Sequence, residues 1–299
     1  MHKPSAVSIG TFDGFHRGHK YLINRLISIA RQKKLKSVVI ALSRPVRSVS
    51  GLLTLSEQKQ ELISKFCVDE VILLEIDPSI IKITPDEFVK EFLRKRLNMR
   101  YLVVGTNFAL GYARHGDINW LKKNLGAFGS NLVAIKPLAY RNTPISSSKI
   151  RTLIHNSRVS YAAKLLGRPY VVSGLAYRDR GVGTKIGFPT INIKTHDGII
   201  LPQGIFSGFV QLASDTVLRR AVISVGYRST LMSNGSLCLE AHLIGFSGNW
   251  PNKLTKVHFC THLRSEKKFK NILELKGAIT SDIERANKLV EKDIKLFTL

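Results

Sequence analysis

Apolar and polar positions follow two different rhythms along this chain. Up to about residue 157, short apolar runs are separated by segments of helical period. Residues 5–9 form the first run and stop at a glycine-rich turn. From about Arg17, the positions Leu22, Ile23, Leu26, Ile27, Ile29 and Ala30 recur on one face of an amphipathic helix. Residues 37–42 read as a β-branched buried strand, a helix spans about 56–66, and Val71-Ile72-Leu73-Leu74 predicts a third strand. Thr84-Pro85-Asp86-Glu87 is a helix start, with a Thr N-cap, Pro in the first turn and Glu three residues on. That helix is predicted to reach about Leu97, and Tyr101–Gly105 predicts a fourth strand. Strands separated by helices predict an α/β domain built on a doubly wound parallel sheet, with ligands beyond the carboxyl ends of the strands.

Beyond residue 157 the helical period gives way to short segments at 170–177, 190–193, 204–212, 221–225, 237–246 and 255–259. Gly181, Gly183, Asn234-Gly235, Gly248 and Pro251 punctuate them. This spacing predicts a small antiparallel β-barrel, closed by an amphipathic helix over about 273–296. A helical linker is expected around 147–166, giving domains at 1–157 and 158–299, consistent with about 150 residues per domain.

Composition changes one part of the picture. Apolar residues make up 44% and charged residues 22%, as in an ordinary globular chain, but 46 Lys and Arg stand against 21 acids, a net charge of +25. That balance favours polyanions, whether phosphorylated substrates, nucleic acid or an acidic membrane, and it equally fits a basic solvated surface. The basic residues are scattered with no aromatic interleaving, so a nucleic-acid partner is not expected despite the charge. The nearest cluster, Gln32-Lys33-Lys34-Leu35-Lys36, suits a helix C-terminus. Cys67, Cys238 and Cys260 are too few and too far apart for a disulfide framework or a zinc site, so a cytoplasmic location is expected. No apolar run is long enough to predict a transmembrane helix, and no membrane partner is expected.

Two constellations carry chemistry. Gly10-Thr11-Phe12-Asp13-Gly14-Phe15-His16-Arg17-Gly18-His19 follows the first strand and opens the first helix, which sets backbone N–H groups and the positive helix end against an anion. His16 and His19, three apart, can face one phosphate while Gly18 allows close approach. Ile145-Ser146-Ser147-Ser148-Lys149-Ile150-Arg151 adds hydroxyls at a helix start, together with a point charge and a guanidinium fork. The second constellation is Gly183-Thr184-Lys185-Ile186-Gly187-Phe188-Pro189-Thr190-Ile191-Asn192, a glycine-rich turn leading into a strand. It lacks the G-K-[ST] order and the following helix of a P-loop. Glu240 and His242 share one face of a later strand.

The chain resembles the nucleotidylyltransferase superfamily and, more narrowly, the bifunctional riboflavin kinase/FAD synthetases of bacteria. The resemblance rests on G-T-F-D-G-F-H-R-G-H (10–19), V-V-G-T-N-F-A-L-G (103–111), I-S-S-S-K-I-R (145–151) and L-L-G-R-P-Y (165–170), and spans nearly the whole chain. It implies that riboflavin is phosphorylated to FMN in the C-terminal domain and that FMN is adenylylated to FAD in the N-terminal one. ATP is co-substrate of both reactions, and the second releases pyrophosphate. On this resemblance His16 and His19 are catalytic and steady the phosphates, and Ser147, Ser148 and Arg151 hold the leaving pyrophosphate. Gly10, Phe12, Gly18 and Asn107 belong to the nucleotide and flavin site, and Asp13 either places Mg²⁺ or buttresses the loop. In the barrel, Gly183, Thr190 and Asn192 bind Mg²⁺–ATP, the last two as hard oxygen ligands of Mg²⁺, and Glu240 is the catalytic base. The run R-S-E-K-K-F (264–269) is expected to open a helix on the flavin side.

The family pattern is broken at several places. The usual F-[DE]-P-H-P segment reads Leu42-Ser43-Arg44-Pro45-Val46, and Ala109 stands where Arg is usual. Asp179 replaces Gly, Thr184 replaces Arg, R-P-T-F becomes Arg228-Ser229-Thr230-Leu231, and L-Y-G becomes Trp250-Pro251-Asn252. Two other readings therefore stay open: an enzyme with one degenerate domain, and a non-catalytic binder of flavin or nucleic acid.

Overall fold

Every position of β1 (Ser5–Gly10) is small or apolar, and the strand is buried along nearly its whole length. It lies at the centre of a parallel sheet in the computed structural model, which describes residues 3–45, 49–177, 183, 186–227, 237–246 and 250–298. The expected features at Val46, Asp179, Gly181, Thr184, Ser229, Asn234-Gly235 and Gly248 lie outside the described residues. The chain divides into two units, residues 1–147 and 148–299. The division falls ten residues before the expected 157/158 boundary, because the helices after Ser147 pack with the second unit.

In the first unit, β1 is followed by α1 (Arg17–Gln32), β2 (Lys36–Leu42), α2 (Ser56–Ser64), β3 (Glu70–Leu74), α3 (Pro78–Lys82) and α4 (Pro85–Glu87). Then come β4 (Met99–Gly105), the short pair β5 (Ala109–Leu110) and β6 (Gly116–Asp117), α5 (Ile118–Asn124) and β7 (Asn131–Ile135). A last ribbon, β8 (Ala139–Tyr140) with β9 (Thr143–Pro144), leads to α6 (Ser147–His155). The sheet order is β3-β2-β1-β4-β7, all parallel. The order reverses at β1, so the crevice between the carboxyl ends of β1 and β4 is the topological switch point.

Alternation along the strands separates two cores. Val7, Ile9, Val38, Ile40, Leu102 and Val104 pack on one face with Phe88, Val89 and Leu93. Ala6, Val39, Ala41 and Val103 pack on the other face with the apolar stripe of α1. Two sequence expectations need correction here. A fifth parallel strand, β7, joins the four predicted. The helix expected to Leu97 has a capping box at Thr84 but winds as a π-helix over Phe88–Arg96. Apolar spacing alone does not distinguish the two windings over so short a stretch.

In the second unit α6 and α7 (Val159–Leu166) are separate helices, where one helical linker was expected. Six strands follow: β10 (Tyr170–Tyr177), β11 (Ile191–Thr195), β12 (Gly204–Leu212), β13 (Arg219–Tyr227), β14 (Leu237–Leu243) and β15 (Leu254–Arg264). They close a barrel in the order β10-β11-β14-β13-β12-β15. Asn271 caps α8 (Ile272–Lys288), and Leu289 breaks it from α9 (Val290–Lys295). The terminal helix is thus two pieces, and the 264–269 run precedes it rather than opening it. Ile283, Ala286 and Leu289 pack on Ile205, Val222 and Leu263 of the barrel.

One buried base makes barrel stability depend on pH. His258 on β15 is 8% exposed, its Nε2 lies 3.2 Å from Gln211 Oε1, and its enclosed Nδ1 has no hydrogen-bond partner among the described residues. Burial, with Lys256 and Arg168 adding repulsion, lowers the imidazole from 6.5 to about 4. The unfolded chain therefore binds the extra proton, and stability falls as pH drops through 6.5 and levels off below 4. Replacing His258 with Gln should remove about 3 kcal/mol of the acid loss over that window. Urea unfolding of the barrel at several pH values measures it, and an unchanged pH profile would exonerate His258.

Candidate functional site

The turn after β1 is the first site. It reverses direction through left-handed residues, with φ of 48° at Phe12, 76° at Gly14 and 37° at Phe15. Both phenylalanine rings are 1% exposed, so burial of aromatic surface supports the conformation. A Cβ on residue 10 would stand 3.2 Å from the Phe12 ring, which is why glycine ends β1. The buried Asp13 carboxylate accepts from Leu53 N and Thr54 N, each at 3.0 Å, and from Thr54 Oγ1 at 3.2 Å. Gly14 N donates to Thr54 Oγ1, and Ser147 Oγ donates to Asp13 O at 2.8 Å. Of the two roles expected for Asp13, the geometry displays the buttress.

His16 caps α1, its Nδ1 accepting from His19 N at 3.3 Å. The two imidazoles stack with centroids 3.6 Å apart and planes 16° from parallel. Gly18 acts through this pair, because a Cβ there would lie 3.1 Å from the His16 ring. Its glycine makes room for an imidazole, where the sequence suggested room for a polyphosphate. Phe12 meets His19 edge-on at 5.2 Å. Burial holds the His19 imidazole well below its usual range, and repulsion from His16 and then Lys59 adds to this. Its Nδ1 is enclosed without a hydrogen-bond partner among the described residues. An imidazole pair at a helix start, with His19 kept neutral by its enclosure, can donate to an oxyanion.

Asn107 lies exposed in the turn after β4, at the switch point, and its carbonyl accepts from Arg114 at 2.9 Å. Beside this turn is an apolar cavity of about 430 Å³. Ile9, Leu42 and Leu74, at the ends of three strands, form its wall with Phe108 and Ala109, and Arg114 supplies a guanidinium. Ser147 starts α6 in the first unit, while exposed Ser148 and buried Arg151 follow on the same helix in the second.

Sequence reasoning missed Lys59. It is 0% exposed, and its ammonium donates to Leu42 O at 2.6 Å and Ser43 O at 3.0 Å, fixing the end of β2. Burial lowers its pKa, against the opposing pull of Asp13 and Glu75. The available signal was a lysine on the buried face of α2, where Ile63 follows four residues later.

The barrel holds the second site, a cavity of about 500 Å³. Gly183, Thr190, Asn192 and Glu240 all line it, so the four expected barrel residues share one space. Strand pairing puts them there, since Asn192 faces Glu240 across β11 and β14, and Ser224 faces Glu240 across β13. Thr190 Oγ1 lies 3.5 Å from Glu240 Oε2, and Cys238 Sγ lies 3.4 Å from Asn192 Oδ1. His242 also reaches the lining, but its Nδ1 is 2.9 Å from Pro189 O, a bond that fixes the turn before β11. Phe188, Phe269, Leu275 and Ile279 give the cavity apolar walls. Behind them Arg264 makes a forked ion pair with the buried Asp282, at 2.8 to 3.1 Å, which the sequence alone did not reveal.

Comparison with known proteins matches the two units to two families in order. FAD synthetase matches residues 1–149, and riboflavin kinase matches residues 166–290. A bifunctional riboflavin kinase/FMN adenylyltransferase of Haemophilus influenzae is 30% identical over 94% of this chain and 92% of its own. The chain belongs to the bifunctional riboflavin kinase/FMN adenylyltransferase family. The same-named protein of Buchnera aphidicola subsp. Schizaphis graminum is 29% identical over 95% of this chain and 93% of that one. A crystal structure of a Streptococcus pneumoniae protein called a macrolide-efflux protein aligns with TM-score 0.83 over 95% of this chain and 94% of that one. At 23% identity this last likeness speaks to the fold alone. No helix of the described residues is long and apolar enough to cross a membrane.

Lys59 gives this site a direct test. Lys59→Met removes the ammonium donor from two strand-end carbonyls, leaving Ser43 O only its 3.3 Å bond from Ser56 Oγ, which should cost about 2 kcal/mol. Urea unfolding of the first unit measures the loss, and a midpoint unchanged from wild type would show that water replaces the ammonium.

Proposed function

We propose that this chain makes FMN and then FAD, using ATP in both steps and a separate pocket for each. Riboflavin is phosphorylated in the barrel, and FMN is adenylylated in the α/β domain with release of pyrophosphate. The observation that carries this reading is the order of the two family matches, each falling on one unit. We assign residues 1–157 to the adenylyltransferase and 158–299 to the kinase, working in the cytoplasm.

In the barrel, Glu240 takes the proton of the riboflavin 5′-hydroxyl as that oxygen attacks the γ-phosphorus of ATP. Thr190 and Asn192 offer neutral oxygens on the same wall, a donor set that fits Mg²⁺ carried in on ATP phosphates. Bound there, Mg²⁺ would neutralise charge on the transferred group. Gly183 keeps the turn close to the phosphates, and the apolar wall from Phe188 to Ile279 suits a flat ring.

In the α/β domain the FMN phosphate is already anionic and needs no general base. It attacks the α-phosphorus of ATP, and the site contributes position and charge stabilisation. His16 and His19 donate to the phosphate oxygens, with the two rings stacked and His19 held neutral by its enclosure. Ser147, Ser148 and Arg151 take the pyrophosphate. Gly10, Phe12, Asp13 and Gly18 build the turn, and Asn107 sits toward the flavin phosphate. The apolar cavity beside it takes the isoalloxazine ring, with Arg114 supplying a cation near the position where Ala109 replaces arginine.

Purified protein given riboflavin, ATP and Mg²⁺, with flavins separated by chromatography, tests the whole scheme. Glu240→Gln should lower FMN formation at least about a hundredfold while FMN-to-FAD conversion continues. His19→Ala should do the reverse, by about a hundredfold. With FMN supplied in a parallel reaction, an enzyme with one degenerate domain would carry out only one of the two conversions, and a non-catalytic binder neither. If each variant kept both conversions, the residue roles would be wrong.

A further inference from the structure

The adenylyltransferase chemistry sits at the carboxyl ends of the strands, and the opposite end of the same sheet carries a charged feature that it does not use. The π-helical segment Phe88–Arg96 runs into β4 at Met99, about 20 Å from the catalytic end of that strand at its rise per residue. A π-helix bonds residue i to i+5, so Lys95 returns over Lys90, with Arg94 beside both. These three side chains line an open groove of about 460 Å³ whose other wall is Ala127-Phe128-Gly129.

Two guanidinium groups converge at the mouth of this groove. Arg94 Nη2 and Arg100 Nη1 lie 3.5 and 3.8 Å from the point a Cβ on residue 129 would occupy. Arg94 is held in place by donating to Met99 O. Neither arginine, nor Lys90, has a carboxylate partner among the described residues, while Lys95 reaches Glu91 at 2.6 Å. Burial and then repulsion from Arg100 lower the Arg94 pKa. Like charges brought together without an acid are unfavourable unless an anion joins them.

We infer that the groove formed by Lys90, Arg94, Lys95 and Arg100 around Gly129 is a binding site for consecutive phosphate groups, separate from both active sites. Its chemistry fits a free polyphosphate or a single nucleic-acid strand, and its openness suits a chain of phosphates. It also gives the chain's excess of 46 basic residues over 21 acidic ones a specific place to act.

Fluorescence anisotropy of the full protein at low salt, with a labelled single-stranded oligoribonucleotide and with tripolyphosphate as competitor, reads the site. Lys90→Gln with Arg100→Gln should weaken RNA binding about fivefold. The slope of log affinity against log salt should also fall by about 1.4. Gly129→Asp keeps every cation but sets a carboxylate between the two guanidinium groups, in a left-handed turn that Asp tolerates, and should weaken binding similarly. FMN-to-FAD conversion should be unchanged in all these variants. Displacement of RNA by tripolyphosphate in wild type would assign the site to short polyphosphates, and its failure would assign it to strands. Binding equal in wild type and all variants, or no binding of either probe, would overturn the proposal.

Discussion

The chain must turn back after β1 within a few residues and still bring two imidazoles into one stack, and the Asp13 carboxylate is what holds that turn. Burying an ionised carboxylate is costly unless its oxygens are bonded. Here they take two backbone N–H groups and a hydroxyl from Leu53 and Thr54, forty residues away in sequence. Thr54 Oγ1 works in both directions, donating to Asp13 and accepting from Gly14. Ser147 then ties the start of α6 to the Asp13 carbonyl. With three segments fixed on one residue, the strained φ values at Phe12 and Phe15 are held by surroundings that leave no relaxed alternative. The neutral state of His19 follows from the same enclosure. Lys59, next to this cluster, anchors the end of β2 and so the wall of the neighbouring apolar cavity.

The barrel reaches a similar result by register. Its functional side chains sit on three adjacent strands, and antiparallel pairing alone sets Asn192, Glu240 and Ser224 side by side. A slip of one residue in any of these strands would turn its functional side chain onto the buried apolar face, so the site is as well defined as that face. Leu239, Ala241 and Leu243, each at most 5% exposed, pin that register. The Arg264–Asp282 pair then connects the end of β15 to α8 across the back of the cavity.

Much of this architecture was legible in the sequence where one physical preference dominated. The runs at β1 to β4 are rich in β-branched and apolar residues, and the stripe on α1 has an unmistakable helical period. β7 escaped notice because Asn131–Ile135 is short and only half-buried, so it lacks the signature of its neighbours. The π-winding of Phe88–Arg96 left no trace, since Phe88, Val89 and Leu93 satisfy an α-helical pattern equally well. His16, His19 and Ser147 could be read because their role follows from their place at helix starts. Lys59 and Asp282 could not: one bonds to carbonyls and the other to an arginine 18 residues earlier, and no local pattern encodes either distance.

Among the described residues, the positions read as unusual in the sequence lie mostly at turns and apolar walls. Ser43 and Arg44 are fixed by backbone bonds, Ser43 N to Leu74 O and Arg44 to Ile76 O at 3.1 Å. Leu42 and Ala109 line the apolar cavity of the α/β domain. Trp250 bonds Thr255 Oγ1 at 3.0 Å, meets Phe246 edge-on and lies under the Arg219 guanidinium, away from the lining of the barrel cavity. Phosphate transfer demands particular donors and acceptors, and a wrong residue there forfeits the step. An apolar wall tolerates exchange, because adding or removing a methylene shifts recognition by only about 1–3 kcal/mol. Selection can therefore retune how the flavin ring is gripped while leaving the imidazole pair, the Thr190/Asn192 oxygens and Glu240 untouched. On the proposed function, the altered residues within the described part of the α/β domain set affinity for the ring, and the retained ones set which phosphorus is attacked.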